Sequence, residues 1–327
     1  MDMSERWACR PIAGALSRAW RVVTALALAA ATGVAPAPVA NPVLILGQRP
    51  NYGPALVSDV PNRAAIDRMI WMPGLDAGWD PQGLAIADHR LLISAYRSRR
   101  KWRNRGPCRV FRVDPVTGDE TGHIDIPAPC GHAGGLAYAG AGELFIADTH
   151  TLFEVDLDQA FDRNPPKFRT IPLGRGLKGA FAVSDRGAIW IGDYEPEGPA
   201  KAFKFALSAI NDLNDGAALT PDAASLVVPI PTYGQGGALD SSGRLWVARS
   251  DISWGFLDER DPQTGRLYRR FAVTAGIEGI AFDRYGKLWA IAEAGARHLP
   301  WHYPFFPMIF RLDPTRLIPV DRHGEAR

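Results

Sequence analysis

Cysteine is scarce in this chain, and neither sign of charge is in real excess. Three cysteines stand among 327 residues, none in C-x-x-C spacing, which excludes zinc ribbons and thioredoxin-like redox centres. The 37 basic and 35 acidic residues leave a formal net charge of +2, too small a bias to make nucleic acid the expected partner. No apolar run reaches the ~20 residues that a membrane-spanning helix requires. G-x-S-x-G, H-E-x-x-H and P-loop motifs are absent, and no Rossmann fingerprint opens a helix. What the chain has in quantity is 33 Gly, 27 Pro and 10 Trp, a composition suited to short strands and many turns. With 46% hydrophobic and 22% charged residues it has material for a large core.

Residues 1–40 read as an export signal. Arg6, Arg10, Arg18 and Arg21 form a positive leader, an apolar run covers 22–34, and Ala35, Ala37 and Ala40 offer cleavage points in a proline-rich stretch. Cleavage predicts a secreted or periplasmic protein with no integral membrane span; a retained anchor is the alternative. With Cys9 in the leader, Cys108 and Cys130 remain, and an oxidising compartment favours pairing them as a disulfide. They flank a predicted hairpin, 109–113 and 122–126 around the turn 114–118, whose antiparallel pairing brings the two backbones together. A redox or metal-binding pair is the other reading.

Five segments repeat one pattern: a small residue, a short apolar strand, a polar turn, then a strand opened by an aliphatic residue. They are QGLAIADHRLLISAY from Gln82, GGLAYAGAGELFIAD from Gly134, GAFAVSDRGAIWIGD from Gly179, QGGALDSSGRLWVAR from Gln235 and EGIAFDRYGKLWAIAE from Glu278. They align without gaps from Gly83, Gly135, Ala180, Gly236 and Gly279 to Leu92, Leu144, Ile189, Leu245 and Leu288. The small residues lie 52, 45, 56 and 43 positions apart, the size of one propeller blade. The turns DPVTG at 114–118 and DPQTG at 261–265 join a third strand to a fourth.

This predicts an all-β propeller of four-stranded antiparallel blades, five in number, with six the alternative if 43–59 supplies further strands. Fourth strands are expected at 123–127, 168–173, 226–231 and 267–273, and one more at 66–73 precedes the first repeat. The C-terminal strand around Met308 needs a partner, and 66–72 is expected to fill that place, closing the ring and removing its open edges. Residues 317–320 compete for the same position. The chain divides accordingly into the signal at 1–40, a lead-in at 41–65, one propeller domain at 66–320 and a tail at 321–327.

The L-A-F-D-x-x-G-x-L-W-V-A-like stretches at 239–248 and 281–290, with Pro81-Gln82-Gly83-Leu84-Ala85, resemble the gluconolactonase, NHL-repeat and strictosidine-synthase-like group of propellers, from Ile66 to about Pro314. That resemblance implies a channel-mouth site and a metal-dependent lactonase- or esterase-like hydrolase. Members hold the metal with an early Glu and with Asn and Asp in the channel. Here Gln82 stands in place of the Asn of a Pro-Asn-Gly, and no Asn occupies the matching repeat positions.

Residues just before the small column converge on the channel mouth in a propeller. Glu278, Gln82 and Gln235 are the expected metal ligands there, and carboxylate and amide oxygens suit Ca²⁺, which takes 6–8 oxygens. His132, Asp148 and Asp193 are the expected catalytic groups, with a general base among them. Tyr96 and Arg249 at strand ends, Arg97 in the basic run 97–105, and Trp301 with His302 in an aromatic loop are the expected ligand-binding residues. Asp148 and Asp193 also suit turn capping. A small molecule or carbohydrate in the central channel is the expected partner. The second functional class is a non-catalytic propeller that binds carbohydrate or protein.

Overall fold

Alternating apolar residues and Asp/Gly-rich turns make each repeat a four-stranded antiparallel sheet, and five such sheets surround one axis. The computed structural model describes residues 43–97, 106–162, 166–297 and 304–320; the expected signal and tail lie outside them. Blade 1 comprises Asp80–Ala87, Arg90–Tyr96, Cys108–Val113 and Glu120–Ile126. Blade 2 comprises Gly135–Gly140, Glu143–Asp148, Thr151–Asp156 and Phe168–Pro172. Blade 3 holds Phe181–Asp185, Ala188–Gly192, Ala200–Ala206 and Leu226–Ile230. Blade 4 holds Gly234–Leu239, Leu245–Asp251, Trp254–Arg260 and Leu267–Val273.

Blade 5 is assembled from both ends of the propeller. Ile277–Phe282, Leu288–Ala292 and Ile309–Leu312 supply three strands, and Ile66–Ile70 supplies the fourth. Met69 pairs with Phe310 and Ile70 with Ile309 in antiparallel register. A short strand, Ile45–Leu46, then adds in parallel to the outer edge. The count is therefore five, closed as the repeat predicts. Residues 317–320 do not compete: the Val320 N–H donates to the Arg270 carbonyl on the outer strand of blade 4 at 2.9 Å.

The repeated residues have specific tasks. Asp240 and Asp283 cap the turn between first and second strands by accepting backbone N–H groups, and also accept the indole N–H of Trp246 and Trp289 at 3.0 and 3.2 Å. Asp185 accepts that of Trp190 at 2.9 Å. One carboxylate thus fixes the turn and the buried ring beneath it. In the D-P-x-T-G turns, Asp114 and Asp261 accept the N–H groups of the two residues beyond the proline. The small column marks where innermost strands approach one another. A Cβ at Gly279 would lie 2.4 Å from the Leu84 nitrogen, and one at Gly135 would lie 2.1 Å from the Ala182 nitrogen.

Apolar faces of neighbouring blades pack together. Trp246, Phe271 and Leu257 of blade 4 meet Ile280, Ala290 and Phe310 of blade 5 in one cluster. Closing the ring leaves each blade covered on both faces, the arrangement that an isolated hairpin would lack. Cys108 and Cys130 form a disulfide with Cα atoms 6.0 Å apart, joining the third strand of blade 1 to the loop that leads into blade 2. Among the described residues, no helix is long and apolar enough to cross a membrane.

Candidate functional site at the channel mouth

Three blades turn a polar side chain into the channel by the same device. The innermost strand carries a β-bulge at Gln82 in blade 1, at Gln235 in blade 4 and at Glu278 in blade 5, where the register slips between Pro81 and Leu84, Gly234 and Gly236, and Ile277 and Ile280. An extra residue in one strand breaks the in–out alternation and re-aims the bulged side chain. The following glycine is what lets the neighbouring blade come close enough for these chains to meet.

They open into a cavity of about 650 Å³ at the channel mouth, and Gln82, Tyr96, His132, Gln235 and Glu278 all line it. Five of the residues that the sequence singles out are therefore brought together. Asp148 and Asp193 stand behind the wall. The Asp148 carboxylate accepts the backbone N–H groups of Gly131, His132 and Ala133 at 3.3, 2.7 and 2.8 Å, which sets the loop that presents His132. Asp193 accepts the Lys178 N–H at 3.1 Å; burial pushes its carboxyl up to about 6.

Arg249 and Arg97 lie apart from the cavity lining. Arg249 donates to the Thr232 carbonyl at 3.0 Å and lies over the Trp254 ring. Arg97 stacks over Trp79. Trp301 and His302 fall outside the described residues.

The floor is acidic. Glu278 is 2% exposed, and its Oε1 has no hydrogen-bond partner among the described residues. Glu293, which follows the second strand of blade 5, accepts a hydrogen bond from the Gln82 amide at 3.0 Å. Asp80, fully buried at the start of blade 1, does not line the cavity but feels the charge of Glu293. Burial in a water-poor pocket disfavours the charged form, and neighbouring carboxylates add to the effect. Burial first, with Glu293 second, pushes Glu278 well above the usual carboxylate range and Asp80 up to about 8. Burial brings Glu293 up to about 7, opposed by the Gln82 hydrogen bond.

Around this floor, burial raises Tyr96, helped by Glu293, Asp80 and Glu278. Tyr194 is pushed up to about 12, by burial first. His132 packs against Tyr96 with ring centroids 5.3 Å apart. Burial lowers its pKa, against the pull of Asp148, so its imidazole stays neutral. The arrangement offers two glutamates from one blade, facing one cavity, with protons held near neutral pH.

Sequence reasoning singles out Glu278 and passes over Asp80 as a site residue. Asp80 directly precedes Pro81-Gln82-Gly83, the stretch that carries a bulge, and that position is the signal for it. Tyr194, Lys178 and Glu195 also line the cavity, and they come from loops whose course no repeat column predicts.

No protein-family model and no curated protein matches the sequence. Solved structures do resemble it. The glutaminyl cyclase of Myxococcus xanthus is 15% identical, with 75% of this chain and 93% of that one covered, at a TM-score of 0.49. The aldose sugar dehydrogenase of Streptomyces coelicolor in its PQQ-bound form is 14% identical over 72% of this chain and 94% of that one, at 0.43. A luciferin-regenerating enzyme is 14% identical over 73% and 78%, at 0.41. The likeness is one of propeller fold, and it is distant.

Proposed function

We propose that this propeller is an acid–base hydrolase that cleaves small esters or lactones in the channel-mouth cavity. The observation that carries the proposal is the pair Glu278 and Glu293, two glutamates of blade 5 that line one cavity with their carboxyls raised toward or beyond neutrality. Perturbed carboxyls in a cleft are the usual equipment of proton-transfer catalysis. The repeat-level resemblance to gluconolactonase-type propellers supplies the substrate class. The disulfide supports exposure to an oxidising compartment, so secretion or periplasmic residence belongs to the same proposal.

In this reading Glu293, titrating near neutrality, takes the proton of a water as its oxygen attacks the carbonyl carbon. Glu278, holding its proton, donates to the departing alcohol oxygen as the C–O bond breaks. The products are an acid and an alcohol, and the proton on Glu293 returns to Glu278 through solvent or neighbouring hydroxyls. Gln82 holds the Glu293 carboxylate in place.

The resemblance also implies Ca²⁺. A calcium shell needs 6–8 oxygens. Among the described residues, three His, Cys, Asp or Glu ligand atoms come within 4.8 Å of one another solely at Cys108, Cys130 and Asp148, where the sulfurs are already bonded to each other. The expected set adds amide oxygens: Glu278 with Gln82 and Gln235 would hold such an ion, which would polarise the substrate carbonyl.

Glu278→Gln and Glu293→Gln should each reduce turnover of phenyl acetate or a δ-lactone by about 10²–10⁴-fold, the usual contribution of a positioned acid or base. The wild-type rate should depend on pH through Glu293 near 7. Full activity in both variants would overturn the proposal.

A further inference from the structure

We propose that the floor of the cavity receives the cationic end of its ligand, an organic ammonium group, with Glu278 as the acceptor and Tyr96 and Tyr194 as the flanking rings. This deepens the hydrolase reading by naming a substrate class for the same cavity, and it rests on that cavity being the substrate site. Where an ammonium occupies the Glu278 carboxylate, the proton for the departing oxygen comes from Glu293, which has just received it from water.

The argument begins with a mismatch between the chain and its cavity. The chain as a whole carries a formal net charge of +2. Its cavity is lined by four carboxyls, Glu195, Asp251, Glu278 and Glu293, against one lysine, Lys178. That lysine pairs with Glu195 at the rim, which offsets one of the four carboxyls and leaves Asp251, Glu278 and Glu293 in the count. His132 is kept neutral by burial and offers no competing charge. Acidity is therefore concentrated in the cavity, where Glu278 is almost wholly buried.

The second observation is independent of the count. Glu278 is 2% exposed, lines the cavity, and leaves Oε1 without a hydrogen-bond donor among the described residues. A buried oxygen left unmatched is destabilising, and more so when the group is charged. A ligand N–H placed at the floor would satisfy it. An ammonium does so with a charge-assisted bond, which is roughly twice as strong as a neutral one. An anionic ligand would instead meet the carboxyls of Glu278 and Glu293.

The walls suit the same ligand. Tyr96 and Tyr194 both line the cavity, and both feel the charge of Glu278 and Glu293, which locates their side chains beside the floor. Tyr233 meets Tyr194 edge to face at 6.0 Å and Trp254 at 5.3 Å, a row that fixes the Tyr194 ring from behind. Aromatic faces attract a desolvated cation, most strongly when water is excluded.

Calorimetric titration of the full chain with benzylammonium chloride and with benzyl alcohol, its neutral counterpart, tests the proposal. Benzylammonium should bind at least ~10-fold tighter, and Glu278→Gln should abolish that preference while the melting temperature holds. Tyr194→Ala should weaken benzylammonium binding several-fold and Tyr194→Phe should not, which keeps the test decisive if the Glu278 variant fails to fold. Equal binding of the two probes, or a preference that survives Glu278→Gln, overturns it. Cleavage of neutral esters with no gain from an added ammonium would sink this inference and leave the hydrolase reading intact. Ammonium binding without ester or lactone cleavage would do the reverse.

Discussion

In blade 4, Asp258 is fully buried and Glu259 is 1% exposed, and arginines surround both. Arg270 and Arg260 meet the Asp258 carboxylate at 2.6 and 2.7 Å, with Arg249 at 3.9 Å. Arg244 and Arg269 both pair with Glu259. In blade 5, Glu278 is buried as deeply, and among the described residues no arginine or lysine pairs with it. The side chains are of one chemical type, on neighbouring blades of one repeat. Carboxylates that serve the fold are matched by cations within it. Glu278 at the channel floor has no such match among the described residues and is left to hold a proton or to meet a ligand. That difference, more than any motif, marks the site.

Removing a carboxylate should therefore have opposite consequences in the two places. Asp258→Ala leaves Arg260, Arg270 and Arg249 without their shared partner, and should cost about 3–5 kcal/mol in urea unfolding, the range for breaking a buried pair. A loss below ~1 kcal/mol would mean that the arginines find solvent and that the contrast with blade 5 is one of geometry alone.

The next effect is a pH dependence with a definite sign. Asp80 and Glu293 have native pKa values of about 8 and about 7, raised from 3.8 and 4.5. The native state keeps protons that the unfolded chain has released, so stability is complete below ~4 and declines as pH rises through 7 and 8. For Glu293 alone the decline is on the order of 3 kcal/mol, at about 1.36 kcal/mol per unit. Chemical denaturation at about pH 5 and about pH 9 should show it, and Glu293→Gln should flatten it. A slope of the other sign would remove the protonated floor.

Smaller still is Glu278→Gln itself. Exchanging a buried acid for a neutral amide of the same shape should leave stability unchanged or raise it by about 1 kcal/mol, the reverse of Asp258→Ala. A large loss of melting temperature would make Glu278 a structural residue and return it to the class of blade 4. As a calibration, Asp240→Asn disturbs one turn and the Trp246 indole bond and should cost about 0.5–1.5 kcal/mol, readable in tryptophan fluorescence.

Much of the fold can be read from the repeat because each repeated residue answers a local demand. Asp before x-x-Gly caps a turn and holds a Trp; the small residue marks the closest approach of two blades. The same column makes Gln82, Gln235 and Glu278 legible, since the residue ahead of the glycine occupies the bulge. The sequence marks Asp148 and Asp193 as strand ends but leaves open whether their carboxylates face backbone N–H groups or the cavity. Arg249 is similar: its strand-end position suggests the mouth, and Thr232 and Trp254 draw it sideways. Glu293 is legible as the end of a second strand, but its raised pKa, like that of Asp80, comes from what packs around it, and no spacing announces that.

By itself the sequence determined the blade, the number of visible copies and the strand that shuts the ring, because turns, alternation and capping act over a few residues. Whether five polar side chains share one cavity, and which buried carboxyl has a cation beside it, was decided by tertiary structure alone. Burial and charge pairing depend on distances across blades, between residues as far apart in the chain as Gln82 and Glu293, 211 positions, and those distances exist only once the ring has closed.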